Sequence, residues 1–146
     1  MSDHRGYFGL AMYHPKNRDN WGSLIRTANI LGADFIATIG KRFKEQHTDT
    51  TKAHLHLPVF EYKDFDDFHE HLPEGCQLVG LELDSKARDL KGFVHPSRAV
   101  YLVGAEDSGI PQEVLKSCQY VIKLKGDYSM NVAVAGSIVL YHRVGL

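Results

Sequence analysis

Two polar residues, Ser129 and Asn131, stand at the entrance of a C-terminal segment that otherwise consists of small and apolar residues. Residues 131–137 read NVAVAGS, so a helix formed here would be apolar or small nearly all round. Such a helix has to be buried on every side, against its own sheet and against a second subunit. The polar pair would then lie at a buried junction where a ligand site is expected, although simple capping of the helix is the alternative interpretation.

Two further clusters combine glycine with charged or amide side chains. In the first, Arg26 follows Gly22 by one helical turn, so the missing side chain leaves space above the guanidinium, and Asn20 begins the same segment. In the second, residues 104–111 read GAEDSGIP directly after an apolar strand. This is not the dinucleotide-binding fingerprint, because Glu106 replaces the second glycine and a carboxylate there would repel a pyrophosphate. Taken alone, the two clusters also fit an exposed helical arginine and a capped glycine turn.

Hydrophobic periodicity predicts the strands and helices that would position these clusters. Six strands are expected, at 7–13, 35–39, 59–62, 78–82, 99–104 and 120–124. Helices are expected over 21–31 with Asn20 as the cap, over 64–72, from Pro111 as first residue, and over 130–142, with one further turn near 51–54. This alternation predicts a mostly parallel sheet with helices on both faces. Because ligands bind beyond the C-terminal ends of such strands, the candidate site consists of loops 17–22, 104–110 and 125–131.

Length and composition limit the classes of protein to which the chain can belong. With 146 residues, of which 43% are hydrophobic and 24% charged, it is predicted to fold as one globular domain. No apolar stretch reaches the roughly 18 residues of a membrane span, and the N-terminus lacks the apolar core of a secretory signal. Cys76 and Cys118 have no CxxC partner and indicate reduced thiols in a cytoplasmic protein. No metal is expected, because a third ligand is missing from both histidine pairs, His54/His56 and His69/His71.

The net charge of −1 conceals a separation of charge along the chain. Residues 57–85 carry eight acidic residues against one lysine, whereas 1–56 and 86–146 each carry eight basic residues against five acidic ones. The basic residues cluster at 16–18, 41–44 and 86–91. Such clusters usually only solvate a surface, but they also permit a phosphate-binding face.

In their order and spacing, the three polar clusters resemble the three motifs of the SPOUT superfamily of methyltransferases, specifically its TrmH/SpoU branch of RNA ribose 2′-O-methyltransferases. The resemblance extends over nearly the whole chain, from about Phe8 to Val144. Lys123 and Leu124 stand where the family usually has proline and methionine, Met130 stands where leucine is common, and the chain end lacks an acidic residue often found there. The matching positions are Asn20, Gly22, Arg26 and Gly32 in the first motif, Gly104, Glu106, Gly109 and Ile110 in the second, and Ile122, Ser129, Asn131 and Ala135 in the third.

The resemblance implies a single SPOUT methyltransferase domain over 1–146, without a separate RNA-binding domain. Its fold would be α/β, with a mostly parallel six-stranded sheet, helices on both faces and a C-terminal deep trefoil knot of a kind that is rare among proteins. The resemblance also implies a homodimer, with S-adenosyl-L-methionine held in the knot as the cofactor. The residues expected to bind the cofactor are Leu81, Leu102, Gly104, Ile122, Leu124, Ser129 and Met130.

The implied reaction is attack of a ribose 2′-hydroxyl of a structured RNA on the methyl group of the cofactor. The family's mechanism gives Arg26 the activation of that hydroxyl. Since arginine stays protonated in proteins, we expect Arg26 instead to clamp the adjacent phosphate and to stabilise the developing alkoxide. Ser129 and Asn131 would orient the nucleotide, Asn20 would steer Arg26, and Glu106 would brace the loops through backbone N–H groups. Transfer RNA is favoured over ribosomal RNA, because the chain lacks the extra N-terminal domain of many ribosomal members.

Two other functions remain open on the sequence alone. A non-catalytic, knotted RNA- or cofactor-binding module would share the fold, but the joint presence of Arg26, Ser129 and Asn131 argues against it. An unrelated α/β protein that binds a phosphate ligand is disfavoured by Glu106. An assay of methyl transfer separates the enzyme from the first alternative, and a titration with the cofactor separates it from the second.

Overall fold

Seven parallel strands form one sheet in the computed structural model, which describes residues 6–44, 57–126 and 131–145. The strands are β1 Tyr7–Tyr13, β2 Phe35–Ile39, β3 Val59–Tyr62, β4 Gln77–Leu81, β5 Arg88–Asp89, β6 Arg98–Val103 and β7 Tyr120–Lys123. The helices in these ranges are α1 Arg18–Ile30, α2 Phe65–Glu70, α3 Gln112–Leu115 and α4 Val132–Val144. The strand order is β3-β2-β1-β6-β4-β7-β5. Every neighbouring pair in that order is parallel.

The six strands predicted from the sequence are all present, and the expectation of a mostly parallel α/β sheet is confirmed. The count of six is wrong by one, because β5 adds a seventh strand at the edge of the sheet beside β7. Its two residues, Arg88 and Asp89, are both charged and exposed. A pair of charged residues carries no apolar alternation, which is the signal from which strands are predicted.

Helices cover both faces of the sheet, as expected, and each face has its own apolar core. On one face, Leu24 of α1 and Leu140 of α4 pack with Tyr101 of β6. On the other face, Phe68 of α2 and Leu115 of α3 form a second cluster with the opposite side of the strands. The central strands are therefore buried on both faces, which explains why their sequences are continuously apolar.

The four described helices begin one to three residues away from their predicted starts. The N-cap of α1 is Asn17, whose side chain accepts hydrogen bonds from the amides of Asp19 and Asn20 at 2.8 and 3.1 Å. The expectation that Asn20 is the cap is therefore wrong, and its side chain is available for other contacts. Pro111 is the N-cap of α3 and not its first residue. The helical turn expected near 51–54 lies outside the described ranges, as do residues 127–130. The expected trefoil knot of the C-terminal segment stays a prediction.

Helix α4 is buried on one side and exposed on the other. Gly136 lies against α1, where a Cβ atom would approach Leu24 Cδ2 to 2.8 Å, so the glycine permits close packing of the two helices. On the opposite side, Val134, Ile138 and Tyr141 retain 51%, 39% and 64% of their accessible surface. Their spacing of four and then three residues places them on one helix face. The expected burial of α4 on every side therefore requires a cover that the described residues of one chain do not supply.

A hydrogen-bonded network holds the C-terminal end of α4 against the sheet. Arg143 is buried and donates from Nη1 to the Pro96 carbonyl at 2.7 Å and to Tyr101 Oη at 3.0 Å. His95 Nδ1 lies 2.6 Å from the same Tyr101 hydroxyl, and His95 Nε2 lies 2.7 Å from His142 Nδ1. This network links the last helix to β6 and to the segment that precedes β6.

The network predicts a loss of stability in mild acid. Burial, together with the nearby charges of His142 and Arg143, lowers the pKa of His95 from 6.5 to about 4. Between those two values the unfolded chain binds more protons than the folded one, so the free energy of unfolding falls as the pH drops from 6.5 towards 4. For this partly exposed group we expect a contribution of about 1 kcal/mol, measured as the difference between urea denaturation at pH 7.5 and at pH 5.

The variant His95→Gln should lose less stability over this pH range than the wild type. The exposed His69 on α2 provides the control, and His69→Gln should keep the wild-type pH dependence. An unchanged pH dependence in His95→Gln would show that this network does not titrate as inferred.

Candidate active site

A cavity of about 700 Å³ opens at the C-terminal ends of β4, β6 and β7. Its wall combines apolar residues with amides and carboxylates, a composition and size typical of sites for small organic ligands. It lies where the sequence predicted a site, beyond the strand ends. The lining residues are Asn17, Asn20, Leu81, Glu82, Leu83, Val103, Gly104, Ala105, Glu106, Asp107, Ser108, Gly109, Lys123, Leu124, Asn131, Val132 and Ala135.

Three side chains, one from each motif, are hydrogen-bonded in series at the cavity wall. Asn131 donates from Nδ2 to Asn20 Oδ1 at 3.1 Å, although the two residues are 111 positions apart in sequence. The side chain of Asn20 in turn donates to the carboxylate of Glu106. Asn131 is also the N-cap of α4, because its Oδ1 accepts from the amides of Ala133 and Val134. The fold thus brings the three sequence clusters together at one place.

Glu106 holds the loop after β6 against the start of α1. Its carboxylate accepts hydrogen bonds from the amide of Lys16 at 3.3 Å and from the amide of Asn17 at 2.7 Å. Burial would raise the pKa of Glu106, but the hydrogen bonds from these amides and from Asn20 outweigh it and hold the pKa below its ordinary value. The lowered pKa makes Glu106 an ionised acceptor but a weak base at neutral pH, which suits bracing better than proton abstraction. The role of Glu106 in the reaction stays a prediction.

A second carboxylate of the cavity wall, Asp107, braces the same loop. Arg42, which follows β2, donates from Nη1 and Nη2 to Asp107 at 3.1 and 2.8 Å, and also donates to the carbonyl of His14 after β1. The pKa of Asp107 lies well below its ordinary value, chiefly because of the hydrogen bond from Arg42. The bidentate pair ties the second motif to the C-terminal ends of β1 and β2.

The proposed catalytic residue Arg26 lies on the exposed side of α1 and is not among the cavity-lining residues that the structure describes. One turn earlier, a Cβ atom at Gly22 would meet nothing within 4 Å, so open space adjoins the helix as expected. The recorded side-chain contacts of Asn20 are with Asn131 and Glu106. A steering of Arg26 by Asn20 therefore stays a prediction.

The expected cofactor-binding residues divide into three groups. Leu81, Gly104 and Leu124 line the cavity. Leu102 and Ile122 are fully buried in the two apolar cores, so their side chains support the cavity floor and do not line it. Ser129 and Met130 lie outside the described residues. Strand alternation explains the second group, since successive side chains point to opposite faces of the sheet.

Glu82 is a cavity residue that the sequence analysis missed. It directly follows β4, and its Oε2 accepts a hydrogen bond from the amide of Ile110 at 2.7 Å. The sequence did contain a signal for Glu82: a polar residue immediately after a buried parallel strand lies at the edge of the sheet where ligands bind. The sequence pattern placed Glu82 at the end of the predicted strand 78–82 and within the acidic segment 57–85, and did not assign it to the site.

Gly104 is required by the loop itself. A Cβ atom here would approach the Gly109 carbonyl carbon to 2.5 Å, within the closed turn in which Ala105 and Gly109 exchange backbone hydrogen bonds. We expect Gly104→Ala to lower the free energy of unfolding by about 1–3 kcal/mol and to weaken ligand binding, because backbone atoms must move.

The glycine of α1 provides the matched comparison. Gly22→Ala adds the same methyl group to an open position inside a helix, and should raise the free energy of unfolding by about 0.4–1 kcal/mol. Urea denaturation of both variants checks the pair. Equal stability of Gly104→Ala and the wild type would contradict the tight closure of this loop.

The structure also bears on metals and membranes within the described ranges. No group of three or more His, Cys, Asp or Glu side chains is placed there to hold a metal ion. His69 and His71 belong to the exposed end of α2, and His54 and His56 lie outside those ranges. Among the same residues, no helix is long and apolar enough to span a membrane.

Comparison with known proteins gives consistent matches. The chain is 27% identical over 128 residues to the tRNA (guanosine(18)-2′-O)-methyltransferase of Escherichia coli, covering 84% of this chain and 56% of that protein. The AdoMet-bound rRNA methyltransferase of Sinorhizobium meliloti superposes with a TM-score of 0.83 at 23% identity, over 98% of this chain and 57% of that one. A structure concerned with 2-OH methylation of C/U34 on tRNA superposes with a TM-score of 0.80 at 26% identity, over 95% of each chain.

The chain spans little more than half the length of the Escherichia coli relative. A family model, in contrast, matches most of the present chain. Residues 7–141 match the model of the SpoU rRNA Methylase family. The chain belongs to the SpoU rRNA Methylase family.

Proposed function

We propose that the protein is an S-adenosyl-L-methionine-dependent RNA methyltransferase that modifies a ribose 2′-hydroxyl of a structured RNA. The observation that carries the proposal is the series of hydrogen bonds through Asn131, Asn20 and Glu106, which joins the three family motifs at one cavity. The names of relatives and structural neighbours, which include tRNA and rRNA methyltransferases, support the reaction class.

The cavity fits a nucleoside cofactor with a polar tail. Its volume of about 700 Å³ lies within the usual range for ligands of this size. Leu81 and Leu124 supply apolar surface for a purine ring, and Gly104 and the loop that follows it line the same cavity. When bound, S-adenosyl-L-methionine supplies an activated methyl group. Ser129 and Met130 complete the proposed binding residues.

The residues of the chain would act mainly by position and charge. Arg26, which remains protonated, would bind the phosphate next to the target ribose and stabilise negative charge developing on the 2′-oxygen. The hydroxyl proton would pass to that phosphate or to water. Asn131 and Ser129 would orient the nucleotide, so that much of the acceleration comes from holding the reactants in line. Glu106 would keep the two loops in place.

A structured RNA, with tRNA favoured, is the proposed substrate. The Escherichia coli relative is a tRNA enzyme, and the structural neighbour that matches this chain over 95% of both lengths concerns methylation of tRNA. We place the enzyme in the cytoplasm, where its RNA substrate is found.

We further propose that the enzyme works as a homodimer with a knotted C-terminal segment. The support for dimerisation is the apolar face of α4, formed by Val134, Ile138 and Tyr141, together with Ile30 at the end of α1, which is 74% exposed. Large exposed apolar residues on two packed helices favour burial against a second copy.

Methyl-labelled cofactor tests the proposed reaction. The protein is incubated with total tRNA and, separately, with ribosomal RNA, and the labelled RNA is digested to nucleosides. We expect label in a 2′-O-methylated nucleoside, which also protects the adjacent phosphodiester from alkali. Label on a base would refute ribose methylation. Cofactor binding without transfer to any RNA fraction would favour the non-catalytic binding module.

A further inference from the structure

Glu82 presents a fixed carboxylate to the cavity. It is half-buried at the end of β4, and both of its oxygens are anchored. Oε2 accepts from the amide of Ile110 at 2.7 Å, and Oε1 accepts from the amide of Leu83 at 3.1 Å. These contacts orient the carboxylate and leave acceptor positions on each oxygen, since an ionised carboxylate has about four lone-pair sites.

The loop of the second motif is shaped around this carboxylate. Gly109 has a φ angle of +67°, and a Cβ atom there would approach Glu82 Oε2 to 2.4 Å. A side chain at position 109 would therefore displace the carboxylate from the cavity wall. The absence of a side chain at Gly109 therefore allows the Glu82 carboxylate to pack against this turn and to accept from the amide of Ile110.

Glu82 differs from the other two carboxylates of the cavity. Asp107 is paired with Arg42, and Glu106 is occupied by the amides of Lys16 and Asn17. In the part of the chain that the structure describes, no ion pair is recorded for Glu82, although Lys123 lines the same cavity. The remaining acceptor positions of Glu82 are thus open to a ligand.

The carboxylate of Glu82 favours ligand groups that donate hydrogen bonds, such as hydroxyls, over anionic groups. A carboxylate repels phosphate, and at a strand end of an α/β sheet an acidic residue is the usual partner of ribose hydroxyls. An internal RNA nucleotide has its 3′-oxygen esterified and cannot offer two neighbouring hydroxyls, whereas a free nucleoside can. We propose that Glu82 accepts hydrogen bonds from both ribose hydroxyls of the nucleoside cofactor, an assignment that rests on the proposed cofactor site.

Calorimetry with modified ligands tests this assignment without any need for turnover. The probes are S-adenosylhomocysteine and its 2′,3′-dideoxy derivative, each titrated into the wild type and into Glu82→Gln. The wild type should bind the dideoxy compound about 10- to 100-fold more weakly than the parent, the range for hydrogen bonds to a charged group. Glu82→Gln should lose a similar factor with the parent, and should distinguish the two ligands by less than about 3-fold, because the shared contact is already weakened.

The control is Asp84→Asn, which removes a nearby carboxylate that bonds Lys86 and Gln112 and does not line the cavity. It should bind both ligands as the wild type does. Thermal unfolding checks that Glu82→Gln keeps its fold, since the glutamine oxygen can still accept from Ile110. Equal discrimination by the wild type and Glu82→Gln would overturn the assignment. Failure of the wild type to bind the parent compound would instead refute the proposed cofactor site.

Discussion

Replacing Arg26 with alanine is expected to lower the rate of methyl transfer by about 10² or more, with little change in cofactor affinity or in assembly. The side chain lies on the exposed side of α1 and outside the cofactor cavity, so its removal leaves the wall of that cavity intact. In the proposed mechanism its charge acts only on the RNA phosphate and on the developing alkoxide. Single-turnover transfer of labelled methyl to RNA measures the rate, and calorimetry measures the affinity for the cofactor.

Arg26→Lys separates charge from geometry. A lysine keeps the positive charge but loses the planar, bidentate donor, so this variant should also be strongly impaired. Arg98→Ala is the matched control, because Arg98 begins β6 at the opposite end of the sheet and contacts the Glu74 carbonyl and the Tyr7 ring. It should transfer methyl at close to the wild-type rate. Near-normal turnover of Arg26→Ala would show that the assigned mechanism is wrong.

Placing a charge on the outer face of α4 is expected to separate the subunits. Ile138 lies between Val134 and Tyr141 on the exposed apolar strip, and Ile138→Asp would bury a carboxylate in the proposed interface. Sedimentation of the wild type at micromolar concentration should give about twice the chain mass of 16.4 kDa, whereas the variant should sediment as one chain.

A carboxylate elsewhere on the surface controls for the effect of charge alone. The side chain of Phe60 also keeps 45% of its accessible surface, but it belongs to the edge strand β3 and not to α4. Phe60→Asp should therefore sediment as the wild type does. A wild-type protein that is monomeric and fully active would contradict both the interface and the burial of α4 inferred from its sequence.

Apolar patterning was sufficient to predict the strands that pass through the core. β1, β2 and β6 are buried on both faces, so their runs of apolar residues are unambiguous. β5 could not be predicted, because Arg88 and Asp89 are ordered by pairing with β7 and not by burial. The cap of α1 was misplaced because the sequence offers asparagine at both 17 and 20, and only the extended backbone of Asn17 distinguishes them.

The sequence predicted which loops form the candidate site but not all of the side chains in its wall. The cavity includes Asn20, Glu106 and Asn131, which were chosen from their motifs. It also includes Glu82, whose contact with Ile110 depends on the pairing of β4 with β6 and on the closure of the loop that follows β6. Contacts between distant segments of this kind follow from topology, which local patterns do not specify.

Asn131 performs two tasks with the two ends of one amide. Its oxygen caps α4, and its nitrogen donates to Asn20. Aspartate would cap the helix at least as well, since a negative charge suits a helix N-terminus, but it would lose the donor and place a second anion beside Glu106. Selection for helix capping alone should therefore accept aspartate at this position, while selection for the proposed turnover should reject it. Directed evolution of this protein would meet a conflict between helix capping and the proposed activity at a single residue.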